Sequence, residues 1–224
     1  GSAWWADKQK EDTPPHLFEI MWSVDVEISH VTLRNSPFWT VHPYAVTGFL
    51  MHDTWILNPM DVKANDGIDP DSTSNVLIHD VYIRTGDDGI AIKSGWDEYG
   101  YDVGIPSRNI TVRDVNITTT CAAFAIGSEM SGGVVDVTVE GARFYDATAG
   151  VHIKSGAGRG GFVRNISFSN VTMENCFFGF MMDMDSTKAP RNDSTHKYNM
   201  SKLPNISSIW ARDVVGRHSN VVAK

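Results

Sequence analysis

Apolar and polar residues alternate along most of the chain, and the alternation comes as one recurring phrase: Asn or Asp, apolar, any, apolar, any, Asn or Asp, apolar, any, apolar. It reads Asp25-Val26-Glu27-Ile28-Ser29-His30-Val31-Thr32-Leu33. It returns as Asn75-Val76-Leu77-Ile78-His79-Asp80-Val81-Tyr82-Ile83 and as Asn109-Ile110-Thr111-Val112-Arg113-Asp114-Val115-Asn116-Ile117. Asp136-Val137-Thr138-Val139 and Asn165-Ile166-Ser167-Phe168-Ser169-Asn170-Val171-Thr172-Met173 repeat it, with weaker copies starting at Gly48 and Asn205. A period of two predicts strands, and helical spacing is nowhere sustained. The anchors at 25, 48, 75, 109, 136, 165 and 205 are spaced by 23 to 40 residues. Such an internal repeat with variable insertions predicts a solenoid.

A second strand follows in several units: Gly89-Ile90-Ala91-Ile92-Lys93-Ser94, Ala123-Phe124-Ala125-Ile126-Gly127-Ser128 and Gly150-Val151-His152-Ile153-Lys154-Ser155. Two or three short strands per turn of about 25 residues describe an all-β chain wound as a parallel β-helix, with coils stacked about 4.8 Å apart. The anchoring Asn and Asp residues are expected in left-handed backbone conformations and stacked as ladders. An antiparallel sandwich would alternate similarly, but its Asp-Gly turns should lie between hairpin strands. Asp66-Gly67 and Asp88-Gly89 fall in the wrong phase for that.

Composition adds bounds. The 224 residues are 42% hydrophobic and 21% charged, enough core for a single β-helix domain over residues 1–224. No apolar run approaches the roughly 20 residues of a membrane helix, so no membrane partner is expected. A net charge of −8 argues against nucleic acid, which needs a basic face. Cys121 and Cys176 make no disulfide framework. They fall two coils apart, about 9.6 Å by the strand spacing, too far to bridge, so free thiols are expected. Asn-x-Ser/Thr occurs at Asn109, Asn116, Asn165, Asn170, Asn192, Asn199 and Asn205, which points to a glycosylated, secreted protein, although strand alternation alone also generates such triplets. No signal peptide opens the chain; Gly1-Ser2-Ala3-Trp4-Trp5 reads as a cut into a longer sequence.

In-register stacking brings distant residues together. With the second strands aligned on Ile92, Ile126 and Ile153, Lys93, Gly127 and Lys154 fall in one row and Ala91, Ala125 and His152 in another. Asp88 is level with Ala122, and Asp66 of the preceding coil lands beside Asp87 and Asp88. Asp66, Asp87, Asp88, Lys93, His152 and Lys154 are therefore expected in one cleft. Crowded carboxylates raise one another's pKa, leaving a proton to donate near neutrality. Glycoside hydrolysis needs a carboxylic acid for the leaving oxygen and a carboxylate to activate water. The lysines could bind a uronate carboxylate locally although the protein as a whole is acidic. The plain alternative is that Asp-Asp-Gly is a turn before a strand. Trp96, Tyr99 and Tyr101 could stack on sugar rings or cap the coil.

Several longer runs carry a resemblance: Asn35-Ser36-Pro37-Phe38-Trp39-Thr40-Val41-His42-Pro43, Asp66-Gly67-Ile68-Asp69-Pro70-Asp71-Ser72, Gly86-Asp87-Asp88-Gly89-Ile90-Ala91-Ile92-Lys93-Ser94-Gly95-Trp96-Asp97, Gly127-Ser128-Glu129-Met130-Ser131-Gly132-Gly133 and Gly158-Arg159-Gly160-Gly161. Over nearly its whole length the chain resembles glycoside hydrolase family 28, the polygalacturonases, and within it the branch with many plant and exo-acting bacterial members. The resemblance implies a right-handed, pectin-lyase-like parallel β-helix and inverting hydrolysis of α-1,4-galacturonan without metal or organic cofactor. It implies a secreted cell-wall glycosidase, expected as a monomer, acting on an acidic polysaccharide. Carried over by motif, Asp87 donates the proton, Asp66 and Asp88 position and deprotonate the water, and His152-Ile153-Lys154 stands where the family's Arg-Ile-Lys holds the substrate carboxylate.

Two departures stand out. The Gly-His-Gly motif falls on Cys121-Ala122-Ala123, so its histidine is absent, and His152 cannot reproduce a bidentate guanidinium grip. They leave room for a catalytically impaired, glycan-binding wall protein, or for a hydrolase of rhamnogalacturonan or another uronide. A polysaccharide lyase would share the β-helix but eliminate with Ca²⁺. Family members usually carry more chain before the first coil, so the chain is expected to lack part of the N-terminal region.

Overall fold

The computed structural model describes residues 1–6, 14–185 and 199–224; the sequon at Asn192 lies outside them. The chain winds as a right-handed parallel β-helix. One face is a long sheet built from Val24–Ser29, Thr47–Leu57, Ser74–Thr85, Ser107–Arg113, Val134–Glu140, Phe162–Glu174 and Asn205–Arg217. The opposite, front sheet runs through Phe18–Met21, Val41–Tyr44, Ile90–Ile92, Ala122–Ile126, Ala149–Lys154, Phe178–Asp183 and Val221–Ala223. Between Val41–Tyr44 and Ile90–Ile92 the ladder is reduced to the bridges Val41↔Ile68, Ile68↔Ile90, Tyr44↔Asp71 and Asp71↔Lys93. Pro70 lies inside that coil and has no N–H to give, although its carbonyl accepts from Lys93 N at 2.8 Å.

The core follows from the register. Val26, Phe49, Val76, Ile110, Val137, Ile166 and Ile209 form one column. Val41, Ile68, Ile90, Phe124, Val151 and Phe180 form another from the front sheet. Most of these side chains are fully buried, each stabilising by about 1.5–3 kcal/mol relative to exposure. Phe168 bridges both sheets, edge-on to Phe124 at 5.8 Å and to Phe180 at 5.4 Å.

The corners carry the polar anchors. Asp25, Asn75, Asn109, Asp136 and Asn165 have φ between 54° and 58°, with Gly48 at 78°. Asn109 Nδ2 donates to Asn75 Oδ1 at 2.7 Å, and Asn165 Nδ2 donates to Asp136 Oδ1. One anchor of the repeat is corrected. Phe162 pairs with Asn205 and Ile166 with Ile209, so the seventh anchor is Ser208, at φ 56°, rather than Asn205. The final insertion is thus three residues longer than the sequence phrase implies. The two thiols are free. Of the described sequon asparagines, Asn109, Asn165, Asn170, Asn199 and Asn205 are exposed.

The longest central insertion, between Ile92 and Ser107, folds as the short helix Asp97–Val103, which ends at Gly104 with φ 62°. Its Gly100 packs against the backbone of Gly95, whose carbonyl carbon a Cβ would meet at 2.6 Å.

Candidate active site

The acid cluster sits where the front sheet is interrupted. The segment leading to Asp66 is fixed by a buried amide network rather than by a ladder. Asn58 Nδ2 donates to Thr40 Oγ1 at 2.8 Å and to the Asn65 carbonyl at 3.0 Å, and Asn58 Oδ1 accepts from Ser36 N at 2.9 Å. Asn65 Nδ2 donates to the Pro59 carbonyl and Asn65 Oδ1 accepts from Gly86 N, both at 2.9 Å. The Asn58 and Asn65 amides are fully buried and satisfied, which rigidifies the loop. Gly67 N donates to the Asp88 carbonyl at 2.9 Å, placing Asp66 directly beside Asp88. Glycine is required there: a Cβ on Gly67 would lie 2.4 Å from the Gly89 carbonyl oxygen.

Each aspartate has a different environment. Asp87 is the half-buried member, and its carboxylate accepts from Ala64 N at 2.8 Å and from Asp88 N at 3.0 Å. Asp88 is 1% exposed and accepts from Lys154 Nζ at 2.5 Å and from Ala122 N at 3.1 Å. Burial alone would push Asp88 up, but the charge and hydrogen bond of Lys154 outweigh it and hold the carboxyl below the usual range. Asp66 has no such ion pair; burial pushes it up to about 8, with the charges of Asp88 and Asp87 adding to the shift against the pull of Lys93 and Lys154. Asp69, fully buried beside Lys93 at 3.6 Å, has no hydrogen-bond partner on either oxygen among the described residues. Burial and the neighbouring Asp66 raise it well above the carboxylate range.

The sequence-predicted basic residues divide. Lys154 meets Asp88, as above. Lys93 is 3% exposed and is enclosed by Glu129 at 3.0 Å, Asp69 and the face of Trp39 at 4.4 Å. Burial would lower its pKa, but Glu129, Asp69 and Asp66 together raise it well above the ordinary value. His152 pairs with Ala125, which pairs with Ala91, so the alanine–histidine row forms as aligned. Burial and the Lys154 charge lower the pKa of His152, so its ring is neutral except in acid.

Three participants carried no role in the sequence reading. Glu129 links Lys93 to Arg159, whose Nη2 lies 3.9 Å away, and Arg159 Nη1 donates to Asp97 at 3.1 Å. Burial opposes ionisation of Glu129, but Lys93 and Arg159 hold it well below the carboxylate range. Cys121 faces Asp87 and Asp88, their ligand atoms lying within 4.8 Å of one another. Burial, then the two aspartate charges, push its thiol up to about 12, so it stays protonated. The signal for Glu129 and Arg159 lay in the Gly-Ser-Glu and Gly-Arg-Gly runs, but only three-dimensional packing joins residues 30 positions apart. Trp96 lies under Arg159 at 5.2 Å and Tyr101 under Lys202 at 5.2 Å, both at the helix that flanks the cluster.

The buried Asp66, Asp69 and Asp88 and the half-buried Glu129 face Lys93, Lys154 and Arg159. Burial favours the neutral form of Asp66 and Asp69, while Lys154 and Lys93 favour the ionised form of Asp88 and Glu129. Such an arrangement, one buried acid at about 8 next to a strongly ionised one, is what separates proton donors from bases on a single surface.

The glycosyl hydrolases family 28 model matches residues 1–223. A "Probable polygalacturonase" of Vitis vinifera is 38% identical over 228 residues, covering 100% of this chain and 46% of that protein. An "Endo-polygalacturonase" of Pectobacterium parmentieri is 32% identical over 226 residues, 98% of this chain and 52% of that one. The crystal structure of an exopolygalacturonase from Thermotoga maritima superposes with a TM-score of 0.76 at 29% identity, over 86% of this chain and 42% of that chain. The chain therefore spans about half the length of the curated relatives it matches. With the fold, the motifs and the family model in agreement over essentially the whole sequence, the chain belongs to the glycosyl hydrolases family 28.

Proposed function

We propose that this chain carries the catalytic centre of a glycosidase that hydrolyses α-1,4-galacturonan with inversion, by general acid–base catalysis. The observation that carries the reading is the packing of Asp66, Asp87 and Asp88 on adjacent coils, with Asp88 ion-paired to Lys154 and Asp87 left half-buried. Asp87, the most accessible of the three, donates to the leaving oxygen. Asp88, kept ionised by Lys154, takes the proton of the attacking water, and Asp66 positions that water. This assigns the two functions that inverting hydrolysis requires to separate carboxyls.

The cations answer the puzzle of an acidic protein on an acidic polymer. Lys154 and His152 stand two residues apart on one strand and flank the place a uronate carboxylate would take. Lys93 is the internal counterion of Glu129 and Asp69, and so acts on the charge of the cluster rather than on the substrate. The relatives named as polygalacturonases support galacturonan as the substrate class, and a secreted, wall-directed protein fits that substrate.

A second reading, a non-catalytic glycan-binding protein, draws on Ala122 and His152, which replace a histidine and an arginine of the family pattern. Product stereochemistry decides. Proton NMR of oligogalacturonate digestion by the folded chain should show the β-anomer first and no change with EDTA. An α-anomer first, or unsaturated products absorbing in the ultraviolet, would refute inverting hydrolysis. Saturable binding with no turnover would select the second reading.

A further inference from the structure

We propose that His16, Glu19 and His42 form a binding site for a divalent transition-metal cation of the zinc class, made of residues other than those of the acid cluster and joined to it through Trp39. One nitrogen of each ring and a Glu19 carboxylate oxygen lie within 4.8 Å of one another. His42 Nδ1 approaches both Glu19 oxygens, at 3.0 and 3.1 Å, and His16 Nδ1 contacts Glu19 Oε2. Zinc bound by nitrogen and oxygen at about 2.0–2.2 Å places its ligand atoms about 3.3 Å apart, so the Glu19 contacts of both rings need only open slightly to admit the ion.

The hydrogen-bond valence of His42 is the physical reason to place a cation there. Its Nε2 faces Asp71 Oδ2 at 3.4 Å while its Nδ1 faces Glu19. In the tautomer that turns Nε2–H to Asp71, the Nδ1 lone pair is left for a cation shared with the Glu19 carboxylate. Asp71 then plays the part of the carboxylate behind a metal-bound histidine, which fixes tautomer and ring orientation. Asp71 is itself fixed, accepting from Gly95 N at 2.8 Å and from Ser72 Oγ at 3.2 Å.

The scaffold is rigid where it needs to be. Glu19 and His42 are direct partners in the parallel ladder between Phe18–Met21 and Val41–Tyr44. His16 stacks on Trp39 at 5.3 Å with an interplanar angle of 23°. The site is neither sealed nor loose: the side chains of His16, Glu19 and His42 are 21%, 35% and 10% exposed, leaving a path for the ion and a fourth, outward position. Two imidazoles favour Zn²⁺, Co²⁺, Ni²⁺ or Cu²⁺ over Mg²⁺ or Ca²⁺, which prefer all-oxygen sites.

The test is calorimetric titration of the folded chain with ZnCl₂ near pH 7, with CoCl₂ followed by visible absorption. One Zn²⁺ should bind with micromolar affinity or better, and Co²⁺ should give the intense d–d bands of a low-coordinate nitrogen–oxygen site. Glu19→Gln, on a partly exposed side chain, should weaken binding at least tenfold. Asp71→Asn should weaken it by about 10-fold or more, the effect typical of the group behind a ligand. His52→Ala disrupts the other histidine cluster, His30, His52 and Asp53, and should change nothing. The proposal is overturned if the wild-type chain binds Zn²⁺ no tighter than millimolar. Binding that survives both Glu19→Gln and His42→Gln, or that disappears with His52→Ala, overturns it as well.

Discussion

Asp66 and Asp88 are neighbours on adjacent coils, yet their environments pull their protons in opposite directions. That difference has a consequence for stability. The folded-state pKa of Asp66 is raised to about 8, so its contribution is complete below the unfolded value near 4 and is lost as pH climbs to about 8. Asp88 behaves oppositely: its lowered folded pKa contributes above the unfolded value near 4 and fades as pH falls below it. Asp66→Asn should therefore flatten the decline of Tm between pH 4 and 8, measured by calorimetry, while leaving the acid limb in place. A mutant whose Tm declines as steeply as wild type would show that Asp66 is ionised in the fold. The Asp88–Lys154 pair makes a second prediction. Lys154→Met leaves Asp88 charged and unpaired at 1% exposure and should cost about 3–5 kcal/mol by denaturant titration. Adding Asp88→Asn should recover much of that loss. At this scale the sequence showed which residues gather, because strand register is periodic; it did not show which cation meets which carboxylate. Lys93 and Lys154 occupy equivalent rows, and only side-chain packing turns one toward Glu129 and the other toward Asp88.

At the level of the coil, the repeat phrase was legible because the anchors do a backbone job. Asn and Asp tolerate the left-handed region that turns one strand into the next, and their amides bridge coils. Asn165, at φ 58° and bonded to Asp136, tests both roles. Asn165→Ala should destabilise by about 1–3 kcal/mol, combining the left-handed penalty with a lost hydrogen bond. Asn165→Gly should lose only the hydrogen-bond part, so equal losses from both substitutions would count against a backbone role. The misplaced seventh anchor has a physical cause: the final step contains a long insertion, and Asn205-Ile206-Ser207 mimics the start of the phrase although Ser208 takes the left-handed turn. A serine anchor is weaker in sequence than an asparagine but serves the same turn. Core columns tell a simpler story. Phe168→Ala, which removes the ring between Phe124 and Phe180, should cost about 3–5 kcal/mol, measured by the same titration.

For the whole molecule, net charge and function point apart until charge is located. The chain carries −8, yet its buried cluster sets Lys93, Lys154 and Arg159 among the carboxylates. An acidic surface and locally neutralised carboxylates coexist, and the composition alone could report only the first. The backbone N–H of Ala122, at the position where the resemblance places the family histidine, serves Asp88, and the protonated Cys121 thiol stands against Asp87. The account holds that this altered surround still supports hydrolysis through the aspartates. The direct test is reducing-sugar release from polygalacturonate at pH 4 to 6 by the folded wild-type chain and by Asp87→Asn. The account predicts release by the wild type and its loss, by two orders of magnitude or more, in the variant. Release that persists in Asp87→Asn, or none from a demonstrably folded wild type, would contradict it.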